Sequence, residues 1–329
     1  MMETGMGDWV TFFYQQMLFP LLNVGGILFG VLGLAALLIW VERRMVAVLQ
    51  DRLGPNRIGP LGVGQLVADT IKMFFKEDWV PEFADKFTFI IAPAIVMAVA
   101  LLGFAVVPMS PSIGIVDLNI GILFIMGVTS LGVYSILLAG YSSANKYALI
   151  GGIRTAAQTV SYEVYMGLSL MGVVMLTGSF SLRDIVNAQA DLWFVVPQFL
   201  GFIIFTIAGF AETHRAPFNL PEAEQELTQG FHTEYSGMKF GMFYIGEYAG
   251  VVLASALIVT LFLGGWHGPF LPPLVWFLGK TFAVILFFIL VGSILPRPRY
   301  DQLMAFGWKV MLPLSLLNMI VTAGIVLME

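Results

Sequence analysis

Eight apolar runs, each long enough to cross a bilayer, divide this chain and leave it little to fold into except a bundle of membrane helices. The clearest are Leu18–Trp40, Phe87–Val107, Leu118–Tyr141, Leu192–Ala211 and Phe240–Gly264. Thr155–Phe180, Phe270–Leu295 and Ala305–Met328 carry charge or weaker stretches. The runs are continuous, without the ten-residue alternation of barrel strands, and in lipid only helices and closed barrels satisfy every backbone polar group. The expected fold is an all-α integral membrane protein. It is one transmembrane domain over residues 1–329, with about eight transmembrane helices and short amphipathic cytoplasmic helices. Composition agrees: of 329 residues 58 % are hydrophobic and 11 % charged, where a soluble chain is about 25 % charged. Pro93, Pro197 and Pro313 fall inside runs, and each is expected to kink its helix by removing a backbone donor.

Lys and Arg set the orientation. The connection after the first run holds Arg43, Arg44, Arg52, Arg57, Lys72, Lys76 and Lys86. The one after the third holds Lys146 and Arg154, after the fifth Arg215 and Lys239, and after the seventh Arg297 and Arg299; the opposite connections hold Arg183 alone. Odd-numbered connections are therefore cytoplasmic, and eight spans put both termini on the outer side. Residues Met1 to Trp9 contain acids and no Lys or Arg, unlike the basic start of a cleavable signal, so the first run is expected to stay as a span.

The cytoplasmic loops over about 42–86 and 212–239 are long and mixed in charge, which suits docking of a soluble partner; loops that are merely tolerated are the plainer alternative. In the first, Leu66, Val67, Thr70, Ile71, Phe74 and Phe75 recur at helical spacing, with Gln65, Asp69, Lys72 and Lys76 largely opposite. That pattern predicts a helix lying in the membrane interface, preceded by turns at Gly54-Pro55 and Gly59-Pro60.

Charge inside a span is costly and marks function by default. Glu163 and Glu247 each lie eight or nine residues from the cytoplasmic start of a run, roughly 12 to 14 Å deep at 1.5 Å per residue. Carboxylates at matched depth on two helices can share protons or water; a polar brace between helices is the alternative. Lys280, deep in the seventh run, is a candidate to pair with an acid. The third cytoplasmic loop is the densest acidic stretch, with Glu212, Glu222, Glu224, Glu226 and Glu234. Asn219 can cap a short helix with Pro221 and Glu222 in its first turn, where a carboxylate is favoured by the helix dipole. Glu42 and Arg43 stand at the inner end of the first run, at the mouth of a polar route or as an interfacial ion pair.

The chain has no cysteine, so it can hold neither a disulfide nor a cysteine-ligated cluster or zinc. His214, His232 and His267 lack metal-ligand spacing. Gly62-x-Gly64 follows no strand and is discounted as a nucleotide fingerprint. No covalently bound cofactor is expected.

Several motifs together resemble one family. Glu42-Arg43-Arg44, Gln50, Arg52-Leu53-Gly54-Pro55-Asn56-Arg57-Ile58-Gly59-Pro60, Gln65 and Ala68-Asp69 resemble the first signature of the membrane subunit 1 family of respiratory complex I. Glu212-Thr213-His214-Arg215-Ala216-Pro217-Phe218, Glu222-Ala223-Glu224-Gln225-Glu226-Leu227 and Gly230-Phe231-His232-Thr233-Glu234-Tyr235 resemble its second. Pro296-Arg297-Pro298-Arg299-Tyr300-Asp301-Gln302 resembles the loop before its last helix. Asn219 and Leu220-Pro221-Glu222-Ala223 depart from the family's common pattern while keeping the glutamates.

The resemblance implies a membrane subunit of a proton-pumping NADH:quinone oxidoreductase in a bacterial inner membrane. It would form the quinone-access chamber where the membrane arm meets the peripheral quinone-site subunits and couple quinone reduction to proton translocation. It further implies a quinone substrate, either ubiquinone or menaquinone, with NADH, FMN and the iron–sulfur clusters in partner subunits. It places Glu163, Glu212, Glu247, Glu222, Glu224 and Glu226 on the proton and coupling path. Glu42, Arg43, Asp69, Arg215, Phe231, Arg297 and Arg299 fall at or near the quinone cavity. The homologous membrane anchor of an energy-converting hydrogenase or formate hydrogenlyase stays open as an alternative. So does an ion transporter acting alone, although the inverted repeats common in such folds are not evident.

Overall fold

The computed structural model describes residues 18–220 and 224–328, and every regular element among them is helical. In chain order these are α1 (Phe19–Leu49), α2 (Gly64–Phe75), α3 (Lys86–Gly103), α4 (Gly121–Ser142), α5 (Lys146–Thr177), α6 (Leu182–Asn187), α7 (Phe199–Glu212), α8 (Glu224–Leu227), α9 (Gly237–Phe262), α10 (Pro273–Ile294), α11 (Tyr300–Phe306) and α12 (Leu312–Val326). A π-helical turn, Gly307–Met311, joins the last two into one rod. Seven of these helices are long and apolar enough to cross a membrane: α1, α3, α4, α5, α9, α10 and the α11–α12 rod. The chain is a multi-pass all-α membrane protein.

The fifth run departs from expectation. A span over Leu192–Ala211 is predicted, but α7 starts at Phe199 and has 14 residues, roughly 21 Å at 1.5 Å per residue, short of the ~30 Å hydrocarbon core. Pro197 stands before the helix rather than kinking it from within, and it disfavours helical geometry at Val196. Irregular backbone at membrane depth needs its polar groups satisfied by the protein, and buried glutamines supply this. Gln189 donates to the carbonyls of Ile185 and Thr260 (3.1 and 2.9 Å) and accepts from the amides of Phe194 and Gly264 (3.3 and 2.9 Å). Gln198 accepts from Asn318 (2.9 Å) and donates to Thr322 (2.7 Å), fastening the start of α7 to α12. Pro93 does lie inside α3. Pro313 follows the π turn directly: it has no N–H for the Lys309 carbonyl, and the wider π pairing absorbs the mismatch.

α9 is the axis of the bundle. In its most apolar window 83 % of residues are buried, against 22 % in α1, α10 and the last rod, whose other sides are exposed. α5 packs beside α4 and α7, and the loop after α7 lies against its first turns. A Cβ at Gly151 would stand 2.8 Å from the Cα of Gly230, so only glycine lets α5 pass the 3-10 turn Gly230–His232. Asn145 caps α5 by accepting from the Tyr147 amide (3.0 Å) and donates to Glu234 (2.8 Å).

The first cytoplasmic loop is shorter than expected, because α1 continues past Trp40 to Leu49 and carries Glu42 and Arg43 on helix. The amphipathic segment forms α2. None of its residues is buried, and Val67, Ile71, Phe74 and Phe75 are all more than half exposed, as suits a helix whose apolar stripe meets lipid at the interface. Pro221, Glu222 and Ala223 lie outside the described residues, and with them the turn expected to be capped by Asn219; the side chain of Glu224 is also outside the described set.

Candidate functional site

Three polar clusters stand toward the end of the bundle where α1 ends and α9 begins. The first is built around Arg215, in the loop after α7. Its guanidinium lies 3.7 Å from Glu42 on α1 and 4.0 Å from Glu247 on α9. It is 3.8 Å from the ring centre of Tyr248 and 5.4 Å from that of Tyr244. The Tyr248 hydroxyl donates to Glu42 at 2.7 Å. Burial by itself works to lower the Arg215 pKa; Tyr248, Glu42, Glu247 and Tyr244 outweigh it and hold the value above that of an ordinary arginine. Arg215 is therefore a fixed cation joining two carboxylates on different helices.

The second cluster joins α1 to α2. Arg43 meets Asp69 at 2.6 Å, and Gln65 donates to the other Asp69 oxygen at 2.9 Å. With Ile39, Trp40, Pro55 and Leu66 they line a small recess at the membrane interface. The position follows from local structure: Gln65 and Asp69 are four apart on α2 and face back toward α1, while the phenylalanines of the same helix face away.

The third cluster is acidic. Glu212 ends α7, and Glu163 on α5 lies close enough for the two charges to repel. Ser130 of α4 donates to Glu163 at 3.0 Å. One Glu212 oxygen, Oε2, is buried with no hydrogen-bond partner among the described residues. Glu212 and Glu247 both open onto a cavity of about 120 Å³ that runs between α3, α4, α5, α7 and α9, with Thr159, Thr213 and His214 at the same end.

The expected residues are thus gathered unequally. Arg215 lies within 4.0 Å of both Glu42 and Glu247, and Arg43 and Asp69 form a pair. Glu163 and Glu212 are neighbours. Phe231 is a buried ring packed on His232 and Phe243 that also lines the cavity. Glu226 instead pairs with Arg154 at the surface (2.8 Å). Arg297 is exposed, and Arg299 pairs with Asp301 in a loop where its side chain is 74 % exposed. Lys280 does not pair with an acid among the described residues. Its ammonium donates to the carbonyls of Leu263, Gly265 and His267 (2.6, 3.2 and 2.7 Å) and lies 4.2 Å from the Trp193 ring centre. These carbonyls belong to the turn that follows α9, and a cation there satisfies them where a carboxylate could not.

Tyr244, Tyr248 and Ser130 escaped the reading of the sequence. The tyrosines recur at i and i+4 on the helix bearing Glu247, a spacing that puts both rings on one face, where a cation can sit against them. Ser130 carries no comparable signal, since a lone serine in an apolar run usually bonds its own helix. Among the described residues no group of three His, Asp or Glu side chains is placed to hold a metal.

Residues 22–323 match the family described as NADH dehydrogenase. The H subunit of NADH-quinone oxidoreductase from Methylococcus capsulatus is 65 % identical over 301 residues, which cover 91 % of this chain and 95 % of that relative.

Proposed function

Because the chain belongs to the NADH dehydrogenase family, we propose that it is the membrane subunit of a bacterial NADH:quinone oxidoreductase that admits quinone at its cytoplasmic face and couples quinone reduction to proton movement. The observation that carries this reading is the placement of Arg215 between two carboxylates, 3.7 Å from Glu42 and 4.0 Å from Glu247. An event at the first carboxylate is felt at the second through one rigid cation.

Quinone has an apolar tail and a polar head, so its site needs a way in from lipid and a polar end near the surface. The recess beside Trp40, Arg43, Gln65 and Asp69, flanked by the exposed apolar face of α2, supports such an entry. The polar end is the Glu42–Arg215–Tyr248 cluster together with peripheral subunits. Electrons come from those partners, where NADH, FMN and iron–sulfur clusters belong, because a chain without cysteine offers no thiolate for a cluster. Reducing quinone to quinol takes up two electrons and two protons. Proton uptake beside Glu42 changes the field on Arg215, which then shares its charge differently with Glu247. Glu247, Glu212 and Glu163 continue the path toward the other membrane-arm subunits. Arg297 and Arg299, in the exposed loop before the last rod, are read as contacts for the peripheral arm, and Glu222, Glu224 and Glu226 as the loop that answers it.

The test is NADH:quinone reductase activity and proton pumping in membranes carrying Glu212→Gln or Glu247→Gln, with assembly followed on native gels. The expected result is an assembled complex in which pumping falls by roughly tenfold or more, about 1.4 kcal/mol in a barrier, with slowed quinone reduction. Wild-type rates of both in the two variants would overturn the coupling role.

A further inference from the structure

At the far end of α9 from Arg215, the turn over residues 263–267 aims three carbonyls at one point. Lys280 reaches in from α10 and fills that point with its ammonium, 2.6, 3.2 and 2.7 Å from the oxygens of Leu263, Gly265 and His267. The Trp193 ring closes another side, its centre 4.2 Å from the nitrogen, with Trp276 farther off at 5.8 Å. Two glycines make the arrangement possible. Gly264 and Gly265 both have positive φ, 71° and 50°, a conformation glycine adopts at no steric cost. A Cβ at Gly264 would also stand 2.7 Å from Trp193.

Bonds that do not involve Lys280 hold the turn in shape. The Gly264 amide donates to Gln189 Oε1 (2.9 Å), the Gly265 amide to the Val259 carbonyl (2.9 Å) and the His267 amide to the Gly264 carbonyl (2.9 Å). Gln189 is itself tied to the carbonyls of Ile185 and Thr260. The cage is therefore finished before the lysine enters it.

We propose that this turn is a monovalent-cation site and that Lys280 is its tethered occupant. Backbone carbonyls gathered around a point replace the hydration shell of a potassium ion. A lysine ammonium is a compact point charge with three donors, close to potassium in size, and a tryptophan face attracts either cation. The donor set does not suit a divalent ion. Calcium takes roughly six to eight oxygens, carboxylates among them, and no acid meets Lys280 among the described residues. Position 280 thus supplies charge, and a free cation of the right size replaces it once the side chain is cut back. The cage lies apart from Glu42, Arg215 and Glu247, so its occupancy does not depend on the coupling scheme.

The test uses the whole purified complex carrying Lys280→Ala, which opens a way into the cage. Thermal midpoints are measured in potassium, ammonium, lithium and choline chlorides at equal ionic strength. A ligand that binds the folded form raises the midpoint with its concentration. In choline the variant should melt below wild type. Potassium or ammonium should return at least half of that loss and saturate. Lithium, too small to touch three oxygens set around an ammonium, should return much less, and the wild type should not distinguish the salts. Equal variant midpoints in all four salts would overturn the proposal. So would a wild-type response as large as the variant's, the mark of a general salt effect. Lys280→Met, which keeps the stem and removes the charge, is the second variant should alanine prevent assembly. Loss of assembly in both, whatever the salt, would overturn the proposal as well, because a finished cage needs only a cation.

Discussion

Removing the Arg215 guanidinium leaves Glu247, whose side chain is 9 % exposed, without that cation and beside Glu42, which is 31 % exposed. Breaking a buried pair from one side costs on the order of 3 kcal/mol, mostly the penalty of the abandoned charge. Arg215→Met is therefore expected to cut the amount of assembled complex sharply on native gels. Adding Glu247→Gln should restore at least half of it, because the second change removes one of the stranded charges. No recovery in the double variant would mean that Arg215 and Glu247 are not energetically coupled despite their 4.0 Å approach. Tyr248→Phe is a finer probe. It deletes the 2.7 Å bond to Glu42 and keeps the ring under the guanidinium. A hydrogen bond to a charged group contributes roughly 1.5 to 3 kcal/mol, so assembly should survive while quinone reduction slows about tenfold, and unchanged steady-state kinetics would remove Tyr248 from the site. Lysine is a poor substitute at position 215: it carries the charge but lacks the flat face that two tyrosines cover.

At the scale of single elements, hydropathy tells where helices exist and polar side chains tell how they end. Seven of the eight runs form helices long and apolar enough to cross a membrane. The fifth run is helical only after Pro197, and the support its start receives from Gln189 and Gln198 was not legible, since those partners lie on α6, α9 and α12 and no local pattern announces them. Lys280 was legible as unusual but not as a cap, because its partners are carbonyls and every residue has one. Lys280→Met should leave three carbonyls in the turn after α9 without their donor, costing on the order of 1 to 3 kcal/mol. The expected signature is a lower thermal midpoint of the purified complex with an unchanged quinone KM and unchanged pumping per electron. If pumping collapsed at an unchanged midpoint, Lys280 would be carrying protons rather than closing a helix.

Over the whole molecule, the site was legible where it coincided with charge inside an apolar run and obscure where it depended on aromatic or hydroxyl neighbours. Glu163 and Glu247 announced themselves by depth and Glu212 by its place in the acidic loop, whereas the faces of Tyr244 and Tyr248 that surround Arg215 took shape only when α1, α7 and α9 were packed together. Orientation is a property of the same scale, because it depends on the sum of charges over all loops and on no single one. The absence of cysteine makes it directly measurable: a single introduced thiol is the only one in this chain. Ser112, in the α3–α4 connection, and Glu77, after α2, are both exposed and lie on opposite sides of the charge pattern. In right-side-out spheroplasts, a membrane-impermeant maleimide should label Ser112→Cys and spare Glu77→Cys, and inverted vesicles should give the reverse. The lysine- and arginine-rich loops, the Arg215 cluster and the α2 interface would then all face the cytoplasm, where NADH is. Labelling of Glu77→Cys from outside would turn the molecule over. It would place the quinone entry on the wrong side for a cytoplasmic electron donor, and the functional reading would fail with the topology.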